Sequence, residues 1–84
     1  MVEFDYVEVI PLSVAIAVLW HFGTQQGPEP NGFDKALVTT IVNADTANQK
    51  RLALGFYEYV TAVQCVTHLP DGLERLRILV ERGY

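Results

Sequence analysis

VIPLSVAIAVLWHFG, residues 9–23, is the stretch whose reading decides the fold. It carries no formal charge, and Ser13 and His21 are its main polar interruptions. The apolar run from Val9 to Trp20 is too short to cross a bilayer, since a spanning helix takes ~20 apolar residues. Glu3, Asp5 and Glu8 precede it and no Lys or Arg does, the reverse of a secretory signal. A core helix remains. Pro11 suits its first turn, the helix is expected over Leu12 to Phe22, and Gly23 is a natural stop. Leu12, Ile16, Leu19 and Trp20 recur at helical spacing, while Val14, Ala15, Ala17 and Val18 leave no polar face. A helix that is apolar all round is buried on more than one side. In an 84-residue chain, that places it at the centre of the fold or at a dimer seam.

Upstream, VEFDY (residues 2–6) alternates apolar and acidic side chains, the period of a half-buried strand. Val7, Val9 and Ile10 add β-branched residues. Residues 1–10 therefore read as an extended, strand-like arm. A lone strand needs a mate, either the same segment of a second chain or another protein's sheet edge. A competing reading makes residues 2–22 one helix kinked at Pro11.

Downstream, GTQQGPEPNG (residues 23–32) holds three Gly and two Pro, and residues 24–32 form a loop. Phe33 to Ala44 then reads as an amphipathic helix with Phe33, Leu37, Ile41 and Ala44 on its inner stripe, widened by Val38 and Val42. Asp45 is a good N-cap for a helix from Thr46 to Leu54, which Gly55 ends. Phe56 to His68 follows, with Phe56, Tyr59, Val60, Val63 and Val66 or Thr67 facing inward. Pro70 opens a last helix to about Arg82, its stripe being Leu69, Leu73, Leu76, Leu79 and Val80, with Gly83 ending it. The expected fold is mainly α, a single domain over residues 1–84. It has four or five short helices in a compact bundle, with a candidate single N-terminal β-strand pairing between chains.

Composition points to association. Half of the residues, 50%, are hydrophobic and only 19% are charged, against ~25% charged in an average soluble domain. A domain this small buries only about 60% of the surface its unfolded chain exposes. Its thin core shelters that much apolar surface poorly, and a partner can bury the rest. Val2, Phe4, Tyr6, Val9, Val14 and Val18 are candidate interface residues on these grounds. Tyr57 joins them because it lies off the inner stripe of its helix, and exposed Tyr is enriched in protein interfaces.

The net charge is −4, and residues 1–34 carry five acids and no Lys or Arg. Such a chain repels phosphate backbones and anionic lipid surfaces, so neither nucleic acid nor membrane is the expected partner. Lys50-Arg51 and Arg75/Arg77 are its small basic clusters, read as solvated helix faces.

No motif carries catalysis or a cofactor. The single Cys65 cannot form an intramolecular disulfide, fits a reducing compartment, and sits among apolar neighbours as a small hydrophobe. Cys65, His21 and His68 are too few for zinc, and both His sit near helix ends. The clustered acids Glu3, Asp5 and Glu8 read as a solvated edge, and Asp71 and Glu74 as charges complementing a helix N-terminus. The loop over residues 23–32 lacks the signatures of phosphate-binding loops. Thr46–Leu54, Gly55 and Phe56–His68 have the outline of a helix-turn-helix. The second helix, however, offers Glu58, Thr61 and Gln64 with two tyrosines rather than an Arg- or Lys-rich reading face.

Ala44-Asp45, Asn48, the run RLALGF (residues 51–56), Glu58-Tyr59-Val60, Ala62-Val63 and the run PDGLERL (residues 70–76) resemble small uncharacterised proteins of actinobacterial phages. The resemblance covers about half of the chain and rests on packing and capping residues. Those proteins often have Pro after the Gly-Phe pair, where this chain has Tyr57, leaving the start of that helix less firmly fixed. The resemblance implies a phage accessory protein in the bacterial host cytoplasm, of the kind that binds a host protein or joins an assembly. Together the readings give a non-enzymatic, self-associating protein-interaction module, a homodimer or larger homo-oligomer. A small helix-turn-helix nucleic-acid binder is the alternative.

Overall fold

The fold, a computed structural model, describes residues 10–83. The candidate strand and the interface candidates Val2, Phe4, Tyr6 and Val9 lie outside those residues. Within them the chain is five helices: α1 (Leu12–His21), α2 (Gly32–Asn43), α3 (Thr46–Ala53), α4 (Tyr57–His68) and α5 (Gly72–Arg82). No strand occurs among the described residues. The mainly helical bundle is as expected, and its Cα radius of gyration, 11.9 Å, matches the ~12 Å of a globular chain of this length.

Pro11 is the N-cap of α1, with an extended backbone at φ −62° and ψ 152°, so no helix runs continuously through it. Its carbonyl accepts the first bonds of the helix from Val14 and Ala15. Six consecutive residues, Val14 to Leu19, are buried. Three helices, α2, α4 and α5, pack around them. The apolar-all-round helix is thus the centre of this chain's own fold. Val14 and Val18, at 5% and 0% exposure, are covered within the chain, which removes them from any surface available to a partner. At its end, Gly23 takes φ +93°, a left-handed conformation that glycine adopts cheaply.

α2 and α3 begin with matched caps. The Asn31 side chain accepts from the Asp34 N–H and the Asp45 side chain from the Asn48 N–H, each at 2.8 Å. These satisfy amides that a helix start leaves unpaired. α2 contributes Leu37, Val38 and Ile41 to the core. Phe33, expected on the same inner stripe, is instead 62% exposed. It stands in the first turn, beyond the edge of the core, and meets Phe56 rather than α1. Ala44 is the residue after the helix, half-buried rather than part of a stripe.

α4 is the second central element, with Val60, Thr61, Ala62, Val63 and Cys65 buried. α5 lays Leu76 and Leu79 onto the core, with Leu73 and Val80 packing at its border. It starts at Gly72, two residues later than Pro70 suggests, because the chain must cross α4 closely there. A Cβ on Gly72 would overlap the Cys65 carbonyl and come within 2.8 Å of Val66 Cα.

Gly72→Ala should therefore destabilise the chain by about 2 kcal/mol or more, since overpacking against backbone cannot relax cheaply. Gly55, with open space around the same added carbon, should tolerate alanine to within about 0.5 kcal/mol. Urea denaturation of the two variants, compared by midpoint, checks the contrast.

Candidate interaction surface

α3 is the one helix with no buried residue. It packs mainly on α4, with Leu52 and Ala53 at the border of the core. Polar contacts help to hold it: Gln49 Nε2 donates to the Ile41 carbonyl at 2.9 Å, and Gln64 Nε2 donates to Gln49 Oε1 at 3.2 Å. Beyond α3 the turn through Leu54, Gly55 and Phe56 projects outward. Leu54 is 90% exposed and Tyr57 51%, the latter as its position off the helix stripe leads one to expect.

This turn meets the start of α2. The Phe33 and Phe56 rings lie 6.1 Å apart by centroid, and Phe56 meets Tyr59 edge-on at 6.2 Å. Phe33, Phe56 and Tyr59 thus form an unbroken aromatic row, with Leu54 and Tyr57 flanking Phe56 in sequence. The row is pinned at its inner end, where the Tyr59 hydroxyl donates to Asp34 Oδ1 at 2.7 Å. Burial first, then the bond to Asp34 and the negative charges of Asp34 and Glu58, push the Tyr59 phenol up to about 12. At the outer end of the row Phe33 is exposed, as are Leu54 and Tyr57 on either side of Phe56 in sequence. Sequence patterning missed Phe33 and Leu54 as surface residues. The only signal was position: Phe33 opens a helix and Leu54 closes one, where a stripe loses contact with the core.

Alongside lies an open depression of about 580 Å³ between α2 and α3, lined by Thr39, Thr40, Asn43, Asn48, Arg51 and Leu52, with Ala44 at its end. Arg51 and its neighbour Lys50 have no ion-pair partner among the described residues. The other basic clusters are already matched: Arg75 pairs with Asp71, Arg77 with Glu74 and Lys35 with Glu29.

A second cavity, about 380 Å³, gathers Trp20, His21, Gln25, Glu29, Lys35 and Thr39. Several of its groups contact one another, while the buried Trp20 indole N–H has no hydrogen-bond partner among the described residues. The Thr39 hydroxyl donates to the Lys35 carbonyl at 2.9 Å, which commits its proton. Lys35, paired with Glu29, also stands 6.0 Å over the Trp20 ring, within reach of a cation–π contact. No activated nucleophile or separated acid–base pair results.

Among the described residues no group of three His, Cys, Asp or Glu side chains could hold a metal ion. His21 and His68 end α1 and α4 respectively, far apart in the element order. Cys65 is buried, its thiol 3.7 Å from the Gly72 carbonyl. Among the described residues no helix is long and apolar enough to cross a membrane. In the helix-turn-helix outline, α4 would be the reading helix. Its Thr61 is buried and its Gln64 is bonded to Gln49, so two of its three polar readers face inward. No family model, curated protein or solved structure matches this chain.

Tyr59 stays protonated in the fold at pH values where an unfolded tyrosine has ionised. The stability it lends is whole below pH 10.0 and drains away as pH rises toward about 12. Tyr59→Phe should flatten the loss of stability across that window and remove one late phenolate step, read by ultraviolet absorbance and by denaturation at each pH.

Proposed function

We propose that this chain is a non-enzymatic protein-interaction module that self-associates, with the α2–α3–α4 corner as its contact surface. The observation that carries the reading is the exposure of Phe33, Leu54 and Tyr57, at 62%, 90% and 51%, around the half-buried Phe56 ring that Phe33 meets. Solvent-exposed apolar residues scattered singly mean little, but a contiguous apolar patch rimmed by polar groups marks a contact surface. Aromatic anchors are also what interface cores favour. The polar environment supports the same reading. Lys35, Arg75 and Arg77 and the tyrosine hydroxyl in the row are engaged inside the chain. Lys50 and Arg51 stand together on α3 with no ion-pair partner among the described residues.

The phage resemblance extends the proposal: an accessory protein that works in the cytoplasm of a bacterial host by joining an assembly or occupying a host protein. Against a nucleic-acid role stand the net charge of −4 and an α4 whose middle is core, whereas a recognition helix has to present that face to a groove.

Sedimentation velocity over a wide concentration series should show the wild-type chain as a dimer or larger. Phe33→Ser with Leu54→Ser should weaken that association by about tenfold or more, with the helical circular-dichroism spectrum and thermal midpoint nearly unchanged, because both side chains are exposed. A wild type that remains a single copy at every concentration overturns the reading.

A further inference from the structure

The outer face of α2 runs Phe33, Ala36, Thr40, Asn43, all exposed and spaced by three or four residues, so they share one side of the helix. Across the seam, α3 brings Asn48 and Arg51 to the same depression as Thr40 and Asn43. At the other end, Phe33 meets Phe56. The α2–α3 edge therefore carries a depression lined by amides and a guanidinium, with the Phe33–Phe56 aromatic pair outside it at the start of α2. From Phe33 to Thr40 is seven residues of helix, about 10 Å, and this sets the distance between the aromatic pair and the depression.

A complementary occupant carries aromatic side chains and carboxylates about that far apart and no cation. The chain itself contains such a segment: VEFDYVEV, residues 2–9, with Phe4 and Tyr6 among Glu3, Asp5 and Glu8. In an extended segment residues alternate sides and rise about 3.3 Å each. Phe4 and Glu8 then share a side about 13 Å apart, and Tyr6 and Glu8 about 7 Å apart, bracketing the groove. Among the described residues Phe33 is 62% and Leu54 90% exposed.

We propose that the α2–α3 edge receives residues 2–9 of a second copy of this chain, aromatic side chains at Phe33 and Phe56 and carboxylates at Arg51 in the depression, with Lys50 beside it in sequence. This rests on the self-association reading above and names its contact. Opposite charge at the two ends fixes the direction in which the segment lies, which apolar contact alone would leave undetermined.

The test is a charge exchange in the full-length chain, read by sedimentation equilibrium at low and at high salt. Lys50→Glu with Arg51→Glu reverses the groove. Glu3→Lys, Asp5→Lys and Glu8→Lys together reverse the segment. Each set alone should weaken association about tenfold or more, and the chain carrying both sets should recover most of the wild-type affinity. Raised salt should weaken the wild type as well. If the wild type associates and reversing the groove changes nothing, this inference falls while self-association stands. If both sets weaken association and their combination fails to recover it, the segment is not the occupant, and the groove takes a different partner. If the wild type is a single copy throughout, as when the segment seats in its own chain's groove, both this inference and the self-association reading fall.

Discussion

The whole arrangement depends on burying α1. Its six buried residues in a row include Val14, Ile16, Val18 and Leu19. At about 1.5–3 kcal/mol for each large aliphatic side chain, their transfer from water contributes on the order of 10 kcal/mol before conformational entropy is charged. That is comparable to the entire net stability expected of a small domain. A helix apolar on every side cannot be satisfied by one neighbour, so α2, α4 and α5 must surround it. Their inner stripes, Leu37–Val38–Ile41, Val60–Val63 and Leu76–Leu79, are the side chains that do so. Gly72 shows how tightly they close, because the start of α5 lies against the α4 backbone with no room for a methyl group.

With three helices committed to α1, α3 has no place in the core. It is held from outside by its Asp45 cap, two glutamine bonds and a few half-buried contacts. A helix held that way leaves its connections exposed: Leu54 in the turn after it is 90% exposed, while Phe56 reaches only the border of the core. The unsheltered apolar surface inferred from composition is consequently not spread evenly over the molecule. Among the described residues the most exposed large apolar side chains, Phe33, Leu54 and Tyr57, stand at the start of α2 and around the turn after α3, with Ile78 on α5 exposed to a lesser degree. Thin core and exposed patch are thus two results of the same constraint.

Helices were legible in the sequence because each carries its own local signals. Pro11 and Gly23 bound α1, Asp45 caps α3, and Gly83 ends α5 at φ +63°. Periodicity also identified nearly all of the core, since Leu37, Ile41, Val60, Val63, Leu76 and Leu79 lie on the faces it marks. It failed at helix ends. Phe33 continues the α2 stripe perfectly well in sequence, but whether a stripe residue is covered depends on how far the neighbouring helices extend, which no local pattern encodes. Val14 and Val18 illustrate the opposite limit: an all-apolar helix reads equally as core or seam, and only the arrangement of the other helices decides. The groove was illegible for the same reason. Arg51 and Asn48 looked like an ordinary solvated face until α2 was set beside them, and Lys50-Arg51 looked no different from Arg75/Arg77 until the latter were found paired.

That difference in pairing sharpens the functional argument. Exposed ion pairs contribute little to stability, typically 0–1 kcal/mol, so the pairs on α5 and at the α2 start are weak reasons for the fold to exist. Their consequence is electrostatic: each cancels a positive charge locally and leaves the chain's acidic character unrelieved there. On α3 no such cancellation occurs among the described residues, and Arg51 of its two adjacent cations faces the depression against α2. An apolar patch alone is indiscriminate, and in a chain with so little spare stability an indiscriminate patch invites aggregation. Positive charge at its border admits acidic segments and turns basic ones away, at little cost to the fold, since solvated cations need no partner to stay folded. Selectivity of this kind is what distinguishes a docking surface from a defect in the core, and under the proposed function it is the cations of α3, rather than the aromatics by themselves, that would select the partner.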